Sequence, residues 1–171
     1  MGTTTQSAGL ALADVLDLAV SMERSAENIY TAAAAGMSDL GLRRLLVDMA
    51  STEHEHADTW QRERDALSCD PAPASGDTNS VVSAYLATWL AQGPLAKAKQ
   101  ALPRLDASAT PHDILATALR METEAIAFYS ALEDFVADGA TRRQVRRVLG
   151  DERKHATDIM ASMHRNAPGS K

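Results

Sequence analysis

The sequence is poor in aromatic residues, in cysteine and in positive charge. Aromatic residues make up only 4% of the 171 residues, although hydrophobic residues together make up 45%. Alanine and leucine supply most of that apolar content, and both favour helices, whereas strands favour β-branched and aromatic residues. The composition therefore predicts an all-α protein.

Cys69 is the single cysteine. One cysteine excludes an internal disulfide and any zinc or iron–sulfur cage built from cysteines, and it suits a reducing compartment. The apolar stretch near the N-terminus has no basic region before it and contains Asp14 and Asp17. It therefore predicts neither a signal peptide nor a membrane span, and we expect a cytoplasmic protein.

The chain is acidic, with a formal net charge of −6 and a sequence pI near 5.3. Nucleic acids and anionic lipid surfaces attract basic proteins, so neither is expected as a partner. The five histidines stand out against this acidic background.

Four stretches show the periodicity of amphipathic helices. They span residues 10–35, 39–67, 111–137 and 141–164. Gly36 is a typical stop for the first stretch, and Thr110 followed by Pro111 is a typical start for the third.

The segment between the second and third stretches is a predicted crossover. Residues 68–80 are rich in proline, glycine, serine and aspartate, which predicts a linker, and the apolar patch that follows predicts one or two short helices. We expect one domain with four parts in order: a helix pair (10–67), the linker and crossover (68–109), a second helix pair (110–164) and a frayed tail (165–171). Two helix pairs joined by a long crossover have the topology of a ferritin-like four-helix bundle.

The two helix pairs repeat one pattern with a constant offset of 99 residues. SMERSAENIY in the first helix matches RMETEAIAFY in the third, and STEHEHA in the second matches GDERKHA in the fourth. The matched residues are Glu23 and Glu122, Tyr30 and Tyr129, Glu53 and Glu152, and His56 and His155. Two of the three tyrosines fall into this register, so chance is a poor explanation, and we expect a pseudo-two-fold bundle.

The repeated glutamates and histidines lie on the apolar faces of the helices. Glu53 and His56 are three residues apart, which puts both side chains on one helix face, together with Leu46, Met49 and Trp60. The same reasoning applied to all four helices predicts six side chains that point into one core: Glu23, Glu53, His56, Glu122, Glu152 and His155.

His54 and Glu55 lie between Glu53 and His56 but fall off the apolar face. Their repeat partners are Arg153 and Lys154, which are neither acidic nor potential metal ligands. We therefore expect these four side chains to be solvated.

Four ionised glutamates in a dry core would repel one another and lose their hydration, at a cost of several kcal/mol each. They must be protonated or bind cations. Two divalent metal ions would balance four negative charges, and mixed carboxylate and imidazole ligands suit iron or manganese better than the metals that prefer thiolates. The alternative is a bundle without metal, in which the buried glutamates and histidines pair with one another.

This pattern resembles the di-iron carboxylate proteins of the ferritin and rubrerythrin superfamily, in which two helices give one glutamate each and two give Glu-x-x-His. The resemblance covers about residues 10–163, and the Glu-to-Tyr spacing and short crossover helices look most like rubrerythrin-type proteins. It implies one iron at Glu23 and His56, a second iron at Glu122 and His155, and bridging by Glu53 and Glu152.

The resemblance also implies a reaction with O2 or H2O2. The expected role is Fe(II) oxidation and iron handling, or oxidant scavenging with an external electron donor. Two alternatives are an O2-dependent oxidase acting on an organic substrate and a non-catalytic module for iron binding or delivery. A homodimer is the default assembly for such a chain.

Two features of rubrerythrins are missing from this sequence. Ala125 stands where they carry an additional glutamate, and the single cysteine cannot supply a four-cysteine rubredoxin iron site. Both departures weaken the expectation of peroxidase activity. The spare carboxylates nearby are Glu27, which we expect near the edge of the site, and Glu124, which we expect to point away from it.

Tyr30 and Tyr129 allow two interpretations, which are compatible. They are core aromatics whose hydroxyl groups need a buried partner. They are also candidates for a role in catalysis, as donors that orient ligand carboxylates. A radical-bearing tyrosine is a further alternative.

Overall fold

The computed structural model describes residues 12–69, 84–86, 88, 110–137 and 139–165. Four long α-helices account for nearly all of these residues: α1 (Leu12–Gly36), α2 (Leu40–Cys69), α3 (Pro111–Phe135) and α4 (Ala140–Arg165). The described part of the chain contains no strand, which confirms the all-α prediction. Within it, no helix combines the length and apolar content needed to cross a membrane.

Two antiparallel helix pairs form the bundle, because α1 packs along α2 and α3 packs along α4. Asp39 starts α2 by accepting a hydrogen bond from the backbone N–H of Leu42 at 2.8 Å. Thr110 caps α3 as predicted: its hydroxyl accepts from the N–H of Asp113 at 3.2 Å, and the Asp113 carboxylate accepts from the N–H of Thr110 at 3.0 Å. This reciprocal capping satisfies two backbone donors that the helix itself cannot.

The helix bounds differ from the predicted ones by a few residues. The second helix continues to Cys69, so residues 68 and 69 are helical rather than part of the linker, since no glycine or proline stands between Gly41 and Pro71. The third helix ends at Phe135, two residues early, because Val136 is extended (φ −82°, ψ 140°). Residues 84–86 and 88 of the crossover are helical. The rest of the predicted crossover and the tail from residue 166 lie outside the described residues.

Apolar side chains fill the bundle on both sides of a polar middle layer. One cluster brings together the first halves of α1 and α4 and the second halves of α2 and α3, and it includes Leu16, Trp60 and Phe128. The other joins the opposite halves and includes Leu46 and Ile159. Fully burying one such side chain contributes about 1.5–3 kcal/mol, so these two clusters hold the helices in place around the polar layer.

Candidate metal centre

The polar middle layer consists of the six side chains predicted to face the core. Each is almost fully buried, with an exposed fraction between 1% and 6%. They are Glu23 on α1, Glu53 and His56 on α2, Glu122 on α3, and Glu152 and His155 on α4. Charged residues are almost never buried in this way without a partner.

The neighbouring polar residues in the two Glu-x-x-His segments face solvent. His54, Glu55, Arg153 and Lys154 are all exposed, as predicted. The helix phase inferred from the sequence therefore matches the structure over both segments.

The six side chains form two overlapping groups of four. In each group, one potential ligand atom per residue lies within 4.8 Å of the others. Glu53 and Glu152 belong to both groups, and each group is completed by one further glutamate and one histidine. The completing residues are Glu23 and His56 in one group and Glu122 and His155 in the other. This arrangement has the geometry of two neighbouring metal positions with two shared carboxylates.

The cluster does not satisfy its own polar atoms. Nδ1 of His155 lies 3.0 Å from Oε1 of Glu53, yet neither atom is aligned for a hydrogen bond. Oε2 of Glu122 and Oε1 of Glu152 also lack a hydrogen-bond partner within the described residues. Buried polar atoms are normally paired, so four buried atoms of one cluster without a hydrogen bond suit a cation better than a set of internal Glu–His pairs.

Burial sets the protonation of the four carboxyl groups. Desolvation and the charges of Glu152 and Glu53 raise the pKa of Glu23 well above its ordinary value. Desolvation also raises the pKa of Glu122, to about 8. Burial opposes the ionisation of Glu53 and Glu152 too, but the approach of the two histidines lowers the pKa of both. Without metal, the surroundings therefore favour the protonated form of Glu23 and Glu122 and the ionised form of Glu53 and Glu152.

The histidines carry the matching positive charges. Burial favours neutral imidazole, but the contacts of Nδ1 with Glu152 and Glu53, at 3.2 Å each, raise the pKa of His56 to about 10. Glu122, Glu152 and Glu53 together raise the pKa of His155 to about 12. Two imidazolium ions then balance two carboxylates, and two divalent metal ions could take the place of four protons.

Tyr30 and Tyr129 each donate a hydrogen bond to a glutamate on the other helix pair. The hydroxyl of Tyr30 donates to Oε1 of Glu122, and the hydroxyl of Tyr129 donates to Oε1 of Glu23. Both tyrosines are at most 1% exposed. They are thus core aromatics whose hydroxyl groups have a buried partner, and their role in catalysis stays a prediction.

Two further residues support the cluster and were not singled out from the sequence. Asp151 on α4 places its Oδ2 atom 3.3 Å from Nε2 of His56. Trp60 on α2 donates its indole N–H to the hydroxyl of Tyr129 at 2.8 Å. Neither residue recurs at the 99-residue offset, which is why a search for repeated residues passes over them.

The prediction that Glu27 lies near the edge of the site is wrong. Glu27 accepts from Arg24 at 3.1 Å and contacts Nδ1 of His54 at 3.0 Å on the outer side of α1 and α2, away from the cluster. Arg24, three residues earlier on the same helix, forms an ion pair with Glu27 and so stabilises this outer position. Glu124, which was expected to point away from the site, is half-buried and is one of the residues that line a cavity beside the cluster.

This cavity lies between α1 and α3 and is mostly apolar. The space that water-sized molecules can enter measures about 50 Å³. Its walls include two pairs of residues related by the repeat: Met22 and Met121, and Ala26 and Ala125. All four cluster glutamates also line it. The cavity therefore connects the carboxylates with the groove between the two helix pairs.

No protein-family model matches the chain, and no curated protein matches it in sequence. In structure, it is similar to a protein from Thermotoga maritima whose crystal structure is described as that of a candidate ferritin-like diiron-carboxylate protein. The two chains are 17% identical and superpose with a TM-score of 0.65, over 94% of this chain and 98% of the other. This likeness shows the fold, and the predicted ferritin-like helical bundle is confirmed.

Proposed function

We propose that the chain is a di-iron protein that reacts with O2 or H2O2, in Fe(II) oxidation and iron handling or in oxidant scavenging. The observation that carries this proposal is the pair of overlapping four-residue groups, each with three carboxylates and one imidazole. A rubrerythrin-type relationship without a rubredoxin site is the finer form of the proposal.

The six residues divide into clear roles under this proposal. Glu23 and His56 would hold one metal ion, Glu122 and His155 would hold the other, and Glu53 and Glu152 would be shared by both. Oxygen and nitrogen donors of this kind suit iron, with manganese as an alternative. A bound di-iron pair would supply two electrons at one place, and the surrounding protein would keep both ions within reach of the same small molecule.

The protein side chains prepare the site for this chemistry. The two tyrosine hydroxyls hold Glu23 and Glu122 in position, so these carboxylates need little rearrangement when metal arrives. The two histidines present Nδ1 to the cluster, and each must release a proton before it can coordinate a metal ion. The apolar cavity gives access while limiting the amount of water beside the carboxylates.

The size of the cavity favours a small reactant over an organic substrate. A cavity needs roughly 10–15 Å³ to hold one water molecule. The space of about 50 Å³ therefore admits a few water-sized molecules and is the right size for O2 or H2O2. A larger organic substrate exceeds this space, which makes an oxidase for such substrates the weaker candidate.

Metal analysis of the full chain, purified without added iron, tests the metal assignment. We expect about two irons per chain. A single zinc at full occupancy from iron-replete cells would contradict the redox proposal. Oxygen consumption with excess Fe(II) then separates the roles: continued consumption supports iron oxidation, whereas stoichiometric binding that stops supports a non-catalytic iron-binding module.

A further inference from the structure

The two halves of the metal centre differ in the residues that surround it. The 99-residue offset pairs Trp60 with Ile159 and Asp151 with Thr52. Trp60 makes a polar contact with Tyr129, and Asp151 makes one with His56. Their repeat partners Ile159 and Thr52 have side chains that make no such contact.

The first difference concerns the two tyrosines. Trp60 donates its indole N–H to the hydroxyl of Tyr129 at 2.8 Å, and the two rings stack with centroids 5.6 Å apart. Tyr129 in turn donates to Glu23. Ile159 occupies the equivalent position in the other half and has no hydrogen-bond donor to offer Tyr30. Among the described residues, the hydrogen bond from Tyr129 to Glu23 is therefore supported by a second one from Trp60, whereas the hydrogen bond from Tyr30 to Glu122 has no equivalent support from Ile159.

The second difference concerns the two histidines. Oδ2 of Asp151 lies 3.3 Å from Nε2 of His56, while Nδ1 of the same ring faces the cluster. A carboxylate on the distal nitrogen fixes the ring and makes the ligand nitrogen more basic. Thr52 is the equivalent residue for His155, and its hydroxyl donates instead to the backbone carbonyl of Asp48 at 3.1 Å.

Both additional contacts support the same four-residue group, the one completed by Glu23 and His56. We propose that the two metal positions are inequivalent and that this position binds a divalent ion more tightly and fills first. Asp151 and Trp60 act as positioning residues for it. The inference rests on the proposed two-metal function, and contacts of this kind typically change metal affinity by roughly 10–100-fold.

One contact opposes this order of filling. Nδ1 of His56 is hydrogen-bonded to Oε2 of Glu53 at 3.2 Å and must give up that bond to a metal ion, whereas Nδ1 of His155 has no aligned partner. One ordinary hydrogen bond corresponds to roughly 2–13-fold in affinity. Two supporting contacts outweigh it, and the loss of a proton is common to both histidines.

Anaerobic titration of the metal-free full chain with Mn(II), followed by the electron paramagnetic resonance signal of the free ion, tests the proposal. We expect two binding steps that differ by at least about tenfold. His56→Ala should remove the tight step and keep the weak one. His155→Ala should do the opposite.

Substitutions outside the six residues test the cause of the difference. Asp151→Ala should weaken the tight step by roughly 10–100-fold and leave the weak step unchanged, and Asp151→Asn, which keeps a hydrogen-bond acceptor, should recover part of the loss. Trp60→Phe should weaken the same step. The matched control is Thr52→Val at the position equivalent to Asp151, which should change neither step.

The outcomes separate this inference from the proposed function. Two ions bound with a single affinity, or an equal effect of Asp151→Ala on both steps, would overturn the inference and leave the two-metal site intact. Failure to bind any Mn(II), Fe(II) or Zn(II) would overturn the proposed function and this inference with it.

Discussion

Tyr129 on α3 donates its hydroxyl hydrogen to Oε1 of Glu23 on α1, and its repeat partner Tyr30 on α1 donates to Oε1 of Glu122 on α3. Each helix pair thus fixes a carboxylate of the other pair. Burial and the nearby carboxylates raise the pKa of both tyrosines well above the ordinary value, so the hydroxyl groups keep their protons and remain donors. The cluster can be completed only when both helix pairs have come together.

Replacing either tyrosine by phenylalanine removes one of these cross-pair hydrogen bonds. Tyr30→Phe should lower the free energy of unfolding by about 1–3 kcal/mol, because a buried carboxyl oxygen loses its partner. Tyr129→Phe should cost at least as much, since it also leaves the indole N–H of Trp60 without an acceptor. Urea unfolding of the metal-free variants measures both effects, and an unchanged midpoint for both variants would show that the two bonds contribute nothing to folding.

Metal should stabilise the fold. A divalent ion at a free concentration of 100 times its dissociation constant stabilises the folded state by about 2.7 kcal/mol. For a domain of this size, that corresponds to an increase in melting temperature of roughly 5–11 °C. Anaerobic melting with and without Fe(II) or Mn(II) tests the prediction. Indifference to both metals from mildly acidic to neutral pH would favour a core of internally paired glutamates and histidines.

The metal-free protein should become less stable as the pH rises above neutrality. Folding raises the pKa of Glu122 from 4.5 to about 8. Its contribution to the stability of the folded state is therefore fully present below pH 4.5 and is lost as the pH rises through 8. Folding also raises the pKa of His56 from 6.5 to about 10, so its contribution is present below pH 6.5 and is lost as the pH rises through 10. Folding lowers the pKa of Glu53, and the stability that this adds is already fully present above pH 4.5, so it does not change between neutral and alkaline pH.

We therefore expect a lower melting temperature at pH 9 than at pH 6 when a chelator is present. With metal bound, the protons on the ligand groups have been displaced, so the difference between the two pH values should shrink. A metal-free protein that melts higher at pH 9 would show that these groups do not titrate as the geometry implies.

The cavity between α1 and α3 should control the access of small reactants. Ala125→Leu should partly fill it and slow both oxygen consumption and azide binding to the iron-loaded protein, without loss of iron. Ala127→Leu is the matched control, because Ala127 lies on the exposed side of the same helix. Equal rates for the wild type and both variants would place the entrance elsewhere.

Much of this molecule could be predicted because its sequence repeats and its helices are strongly periodic. Glu53 and Glu152 interrupt the apolar faces of their helices at equivalent places. Helical periodicity therefore predicted that both side chains point into the core, and the repeat predicted that they are equivalent. Asp151 and Trp60 could not be found in this way, because they break the repeat and act on one half alone. The position of Glu27 was predicted wrongly, since its contact with His54 depends on how α1 packs against α2, which helix phase alone does not give.

The sharpest test of the ligand assignment lies within one turn of α2, where His54 and His56 are two residues apart. His56 is 5% exposed and its Nδ1 faces Glu53 and Glu152, whereas His54 is exposed and contacts Glu27 and Arg24 at the surface. His56→Ala should therefore release one of two irons and abolish oxygen-dependent Fe(II) oxidation. His54→Ala should keep both irons and change stability by no more than about 1 kcal/mol, because exposed ion pairs contribute little.

Glu53→Ala should be more damaging than His56→Ala, because Glu53 belongs to both groups of potential ligands. Iron analysis and oxygen uptake on the three variants, side by side, would contradict the assignment if iron were lost from His54→Ala and retained in His56→Ala.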